Sequence, residues 1–458
     1  MAGLLDRERI VAPPGFNRWL VPPAALAIHL CIGQAYAFSV FKLPLTKVIG
    51  ITESAPGDWT QKQLAWVFTI AIVCLGLSAA LFGKWLERAG PRKSGVVSAI
   101  CWSLGFFISA AAVRFHNIWL LYVGYGVIGG CGLGLGYITP VSTLIKWFPD
   151  RRGLATGMAI MGFGGGAMIA SPLSQVLMDQ FKSATSVGVF QTFCVMGALY
   201  GAAMLGGAFL FRVPASDWKP RGWSPPTGTG NTLVTRGHVH VNKAVFTPQF
   251  YLLWVMLFVN VTAGIGILEQ AAPMIQEMFQ GKVTAAAAAG FVGLLSLFNM
   301  AGRFGWASLS DRFGRKATYA AFFTLGPLVY FLIPVTGRMG SVGLFVAACA
   351  LVLTMYGGGF ATIPAYLADL FGSQFVGAIH GRLLTAWSAA GVAGPVLVNY
   401  IRQAQIDAGV PNHEAYDFTM HVMAALLVVG LVCDLLVRQV AEKNFMSAEE
   451  LSAVRAGK

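Results

Sequence analysis

Charge is what this sequence has least of. Asp, Glu, Lys and Arg together make up 11% of its 458 residues, against about a quarter in a soluble domain, and acids are scarcer than bases, 19 against 32. A chain so poor in charge cannot clothe a water-facing surface, which excludes an ordinary soluble fold. Cysteine is sparse too. Cys31, Cys74, Cys101, Cys131, Cys194, Cys349 and Cys433 all fall inside apolar stretches, spaced as neither disulfide pairs nor metal ligands, and read as small packing residues. No GxxxxGK(S/T) loop occurs, which argues against direct drive by ATP. A catalytic cluster of His, Asp and Glu is likewise missing, so neither an enzyme nor a cofactor is expected.

What the chain has in abundance is hydrophobic length: 56% of it is apolar or aromatic, with a mean hydropathy of +0.66. Twelve continuous runs lie near 19–42, 64–84, 94–113, 117–144, 153–178, 187–211, 250–275, 285–308, 317–337, 341–368, 376–401 and 418–437. Each is long enough to cross a ~30 Å hydrocarbon core as a helix, and too long and unbroken for the strands of a membrane barrel. The fold class is therefore an all-α polytopic membrane protein with the lipid bilayer as its surroundings. The run after Arg18 is too long for a signal peptide and lacks a small-residue cleavage pattern, so it is read as the first span. The net charge of +13 points to topology rather than to nucleic acid. With a cytoplasmic N-terminus, 22 of the 32 Lys and Arg fall in inside segments, 8 in outside segments, and 2, Arg303 and Arg382, within helices. That bias follows the positive-inside rule and predicts both termini in the cytoplasm.

The chain also repeats itself. At a single ungapped offset of 224 residues, GKWLERAGPR (Gly83–Arg92) falls on ASLSDRFGRK (Ala307–Lys316), pairing Glu87 with Asp311, Arg88 with Arg312 and Gly90 with Gly314. The same offset pairs Gly134 with Gly358, Pro140 with Pro364, Gly153 with Gly377 and Gly157 with Gly381. The duplication predicts two pseudo-symmetric six-helix halves, 1–212 and 248–458, the second with a short cytoplasmic tail. Between them 213–247 is a cytoplasmic linker rich in Pro, Gly, Thr and basic residues. Its His238 and His240 lack the further ligands a metal site needs. Parallel six-helix repeats place a substrate site near the midplane between the halves.

The repeated G-x-x-x-(D/E)-R-x-G-x-(R/K) loops resemble the signature of the major facilitator superfamily. More closely, the chain resembles the oxalate/formate antiporter family, relatives of the monocarboxylate transporters. The resemblance rests on NRW (Asn17–Trp19), GQAYAF (Gly33–Phe38), KWFPDRRGLATG (Lys146–Gly157), TPQFYLLW (Thr247–Trp254) and the NMAGRFGW to SDRFGRK stretch. It implies a carrier working by alternating access, with Glu87, Arg88, Asp311 and Arg312 as gate residues joined when the cytoplasmic side is closed. It also implies a substrate arginine at Arg303. The lysine that oxalate-exchanging members carry on helix 11 falls here on Trp387.

Among buried polar residues, Arg303 stands out, because a charge at the centre of a membrane helix costs roughly 2.5–3.5 kcal/mol on insertion scales. Ser296, Asn299 and Arg303 share one helical face, where a guanidinium could grip a carboxylate and Asn299 could add a hydrogen bond. The alternative is that Arg303 snorkels to the interface or pairs with a gate acid. Its counterpart by the offset is Ala79, so the anion site is expected to be asymmetric. Losing the helix-11 lysine disfavours a dianion, whose second carboxylate would have no charged partner. Tyr36, His29, Tyr137 and Trp387 are the other candidate cavity residues, with His29 either a proton carrier or a satisfied packing residue. Glu269 is a proton-coupling carboxylate, a counter-charge that neutralises Arg303 until substrate arrives, or a water-facing residue at the outer mouth. His380 either titrates to tune entry or caps a carbonyl, and Arg382 is expected to snorkel to the cytoplasmic face. The glycine runs Gly124–Gly136 and Gly162–Met168 suit close, sliding helices.

The expected function is secondary transport of a small organic anion, most simply lactate, pyruvate or formate. It would proceed by proton symport or anion exchange, in a monomer of the inner membrane with no nucleic-acid partner. Oxalate/formate exchange, a neutral solute such as a sugar or drug, and a non-transporting sensor are the alternatives.

Overall fold

The computed structural model describes residues 3–215, 218–224 and 233–455. Among these, twelve helices are long and apolar enough to span a membrane. They are α1 (Arg18–Ala37), α2 (Gln61–Ala89), α3 (Pro91–Arg114), α4 (Ile118–Trp147), α5 (Arg152–Phe181) and α6 (Val189–Leu210). The second set is α7 (Pro248–Met278), α8 (Ala285–Phe313), α9 (Arg315–Arg338), α10 (Val342–Phe371), α11 (Val376–Asp407) and α12 (Ala415–Leu436). Each predicted run falls on one of them. An even number of spans returns both termini to one end of the bundle, called here the terminal end.

The repeated loop has a plain backbone reason. α2 stops and α3 starts at a single residue, Gly90, with φ 86° and ψ 162°, and Gly314 does the same between α8 and α9 with φ 86° and ψ 154°. That corner of conformational space is open essentially to glycine alone, so one residue turns each helix pair. Elsewhere, α1 tightens over Gly33–Ala37, α4 widens to π-helical turns over Tyr122–Gly129, and α11 breaks at Leu384. Such departures often mark functional segments.

The halves meet through two symmetry-related helix pairs, α5 on α8 and α2 on α11. Glycine makes both approaches possible. A Cβ on Gly153 would stand 2.0 Å from the Ala307 carbonyl of α8, and one on Gly381 would stand 2.1 Å from the Ala79 carbonyl of α2. Any side chain there would force the pair apart.

Candidate functional site

Arg303 is fully buried on α8. Its Nε donates to Asn299 Oδ1 at 3.0 Å, one helical turn away, which fixes the guanidinium plane and leaves its outer edge free. Among the described residues neither Nη1 nor Nη2 has a hydrogen-bond partner. The carbon of the guanidinium stands 5.2 Å from the ring centroid of Phe360 and 5.7 Å from that of Phe163. Two glycines make room: a Cβ on Gly164 would stand 3.0 Å from Arg303 Nε, and one on Gly357 would stand 2.6 Å from Asn299 Oδ1. The side chain therefore points into the protein and does not snorkel to the interface.

Around it lies an aromatic box drawn from both halves. Trp387 of α11 is central, with ring centroids at 4.6 Å from Phe360, 5.2 Å from Tyr137, 5.4 Å from Phe163 and 6.4 Å from Tyr36. The hydroxyls of Tyr36 on α1 and Tyr356 on α10 lie 3.4 Å apart across the interface. All these aromatics are buried except Tyr36, which is partly exposed. Tyr137's hydroxyl, like the arginine's two outer nitrogens, has no partner among the described residues. An unpaired buried cation is strongly destabilising, by about 3–5 kcal/mol when its partner is removed. The arrangement is a buried cation with free donors enclosed by aromatic rings.

Other candidates are placed differently. Ser296 donates to its own helix at Val292, 3.1 Å away. His29 is buried below Tyr137 with both ring nitrogens facing backbone carbonyls. His380 is fully buried, and neither ring nitrogen has a partner among the described residues. Glu269 lies within α7, but its side chain is outside the described residues. Arg382 turns to the terminal end, where Nη1 donates to the Val241 carbonyl at 3.0 Å and Nη2 to Asn242 Oδ1 at 2.8 Å; it is anchored on the linker rather than loose at an interface. His240 caps Asn242 and packs on Phe375.

At the terminal end the two halves are clamped by paired acids. Glu87 Oε1 accepts from the Gly377 amide of α11 at 2.8 Å and from Ser142 at 3.0 Å, and its Oε2 pairs with Lys146. Asp311 accepts from the Gly153 and Leu154 amides of α5, both at 2.8 Å, and from Arg315 at 2.6 Å. Each acid thus meets the positive end of a helix in the opposite half. The cations differ from those expected. Arg88 and Arg312 are exposed, because on the turn beside each acid they point outward. Lys146, Arg152 and Arg315 take the inward positions. Arg152 and Arg315 converge on Asp369 of α10 at 2.7 and 3.1 Å. Asp369 sits one residue past its predicted span, and the excess of arginine over acid in the two loops is the one signal that could have pointed to it. In the loop before α5, Arg18 grips Asp150 with two bonds of 2.6 and 2.8 Å. Burial pushes that carboxyl up, but the Arg18 hydrogen bonds and charge outweigh it and hold Asp150 below the ordinary carboxylate range. With the clamps made, the two halves are joined at the terminal end.

Twelve spans in two related halves, with a buried arginine between them and clamps at one end, are the plan of a membrane transporter. The profile of the Major Facilitator Superfamily matches residues 17–395, and the chain belongs to that superfamily. It is 28% identical to the uncharacterized MFS-type transporter YhjX of Escherichia coli, over 78% of this chain and 81% of that one. It is 25% identical to the oxalate:formate antiporter of Oxalobacter formigenes, covering 82% and 83% of the two chains. With human monocarboxylate transporter 11 it shares 27% identity over 85% and 78%. Among solved structures, the E. coli fucose:proton symporter FucP superimposes with a TM-score of 0.67, covering 93% of this chain and all of that one, at 14% identity. That likeness speaks for the fold alone.

Proposed function

We propose that this protein carries a short monocarboxylate, such as lactate, pyruvate or formate, across the inner membrane by proton symport or anion exchange. Both termini are cytoplasmic in this reading, and a monomer suffices. The halves 1–212 and 248–458, joined by 213–247, rock about the site, and the terminal clamps form the cytoplasmic gate. One observation carries the proposal: a buried arginine with two unpartnered donors inside an aromatic box that, among the described residues, offers no lysine or second arginine. A guanidinium edge fits a carboxylate with two parallel hydrogen bonds. The aromatic walls suit a short remainder, whereas a second carboxylate would meet Trp387 instead of a lysine or arginine.

The test is uptake of labelled lactate, formate, oxalate and glucose into proteoliposomes, with and without a pH gradient. Lactate or formate uptake is expected to exceed oxalate and glucose by tenfold or more, equivalent to about 1.4 kcal/mol of discrimination. Selective glucose uptake overturns the anion reading, and efficient oxalate exchange overturns the restriction to one carboxylate.

A further inference from the structure

Beneath the arginine, two buried histidines flank one tyrosine. His29 on α1 and His380 on α11 have ring centroids 5.3 and 5.9 Å from that of Tyr137 on α4. Their nitrogens meet different surroundings. Those of His380 have no partner among the described residues, whereas His29 Nδ1 lies 2.5 Å from the Ala159 carbonyl oxygen of α5 and Nε2 lies 3.1 Å from the Tyr137 carbonyl oxygen. A carbonyl oxygen only accepts, and a neutral imidazole carries a single N–H. In the neutral ring one of the two contacts sets lone pair against lone pair. Only the doubly protonated ring satisfies both.

We propose that His29 binds the co-transported proton, held between the Ala159 and Tyr137 carbonyls, and that this proton and the carboxylate on Arg303 load together. The inference rests on the monocarboxylate reading above. The titratable or charged side chains facing His29 are Tyr137 from α4, Arg303 from α8 and His380 from α11. From α5 it meets the Ala159 carbonyl and Gly162, where a Cβ would stand 3.1 Å from its own. On the other side of α1, α3 and α6 contain no carboxylate at all. A protonated His29 beside Arg303 therefore places two buried cations together with no acid between them among the described residues. A substrate carboxylate on Arg303 supplies the missing negative charge. Proton and anion then raise each other's affinity by the same factor, as linkage requires. His29, Tyr137 and Ala159 all belong to the first half, so rocking leaves the proton site whole. Release follows when the anion departs and water reaches the ring.

The experiment compares wild type with His29→Gln, full-length in proteoliposomes, using labelled lactate. In wild type an inward proton gradient is expected to accelerate uptake about fivefold or more, within the usual range of coupling between two sites. In His29→Gln the acceleration falls below about twofold, while lactate counterflow at equal pH loses less than the gradient-driven flux does. A His29→Gln protein as responsive to the gradient as wild type overturns the proposal. Histidine-labelled wild type in detergent adds a readout independent of the variant's folding: on adding lactate at neutral pH, nitrogen NMR should show both nitrogens of one buried histidine protonated. Persistence of a neutral tautomer overturns the proposal as well. Wild-type lactate exchange without any gradient response defeats the His29 proposal and leaves the monocarboxylate reading standing. Absence of carboxylate uptake defeats both.

Discussion

Arg303 combines full burial, one fixed nitrogen and two unpartnered ones, a combination that a packing residue would not tolerate. Arg303→Lys keeps the charge but loses the planar fork, so carboxylate uptake should fall by about tenfold or more. Arg303→Ala should abolish it, with the thermal unfolding midpoint in detergent little changed. Full uptake by the alanine variant would make the arginine structural. Trp387 sets the complementary limit. It contacts four aromatic rings of the box, and Trp387→Lys adds a second cation there. Oxalate counterflow is then expected to appear while lactate uptake weakens, since a second carboxylate gains a charged partner. Unaltered selectivity would show that the walls, not the count of charges, choose the substrate.

At the scale of helices, closure of the terminal end depends on bare backbone and on acids that cap helix ends. Gly381 leaves no room for a side chain against the Ala79 carbonyl. Gly381→Leu should therefore wedge α11 from α2. A cysteine introduced at Ser142, buried beside Glu87, should become open to thiol reagents from the terminal side, and transport should stop. Asp311→Asn keeps the size but weakens the capping of α5 and the bond from Arg315, so the same label should react faster. The Arg18 and Asp150 pair gives a test by pH. Because Asp150 ionises below the ordinary carboxylate value when folded, its contribution to stability is full above that value and is lost as pH falls through the folded one. The gap in unfolding midpoint between wild type and Asp150→Asn should shrink on acidification through that range.

For the whole molecule, the clamps and the buried box belong to one conformation, shut at the terminal end. In the proposed rocking cycle, transport requires the opposite one, in which α2 separates from α11 and α5 from α8. These two pairs carry both the glycine contacts and, at their ends, both acid clamps. Combining Glu87→Gln with Asp311→Asn should thus shift the protein toward the state open at the terminal end by more than either change alone. Distances between spin labels across that end would report the shift. If the double variant stays closed, the hold lies in the helix contacts and not in the acids.

Much of this architecture was legible in the chain. Hydrophobic run length and the 224-residue offset settle twelve spans in two related halves, because each span must satisfy its own backbone in lipid and so declares itself locally. The offset also marked Glu87 and Asp311 together with Gly153 and Gly377, which the fold joins as acid and helix end. Arg303 was visible as a charge with no local reason to be there. Contacts between distant segments were not legible, since a residue's direction around its helix matters only once the helices are packed. Arg88 and Arg312 share the repeat with their acids yet point away, whereas Lys146, Arg152, Arg315 and Asp369 turn inward. Phe163 and Phe360 look like any other lipid-facing phenylalanine until they stand over the guanidinium. The sequence alone determined which segments cross the membrane and which of them carry a charge inside an apolar run, because each span declares itself locally. Tertiary packing alone decided what surrounds the buried cation, which charges join the halves at the terminal end, and that the nitrogens of His29 face two carbonyls.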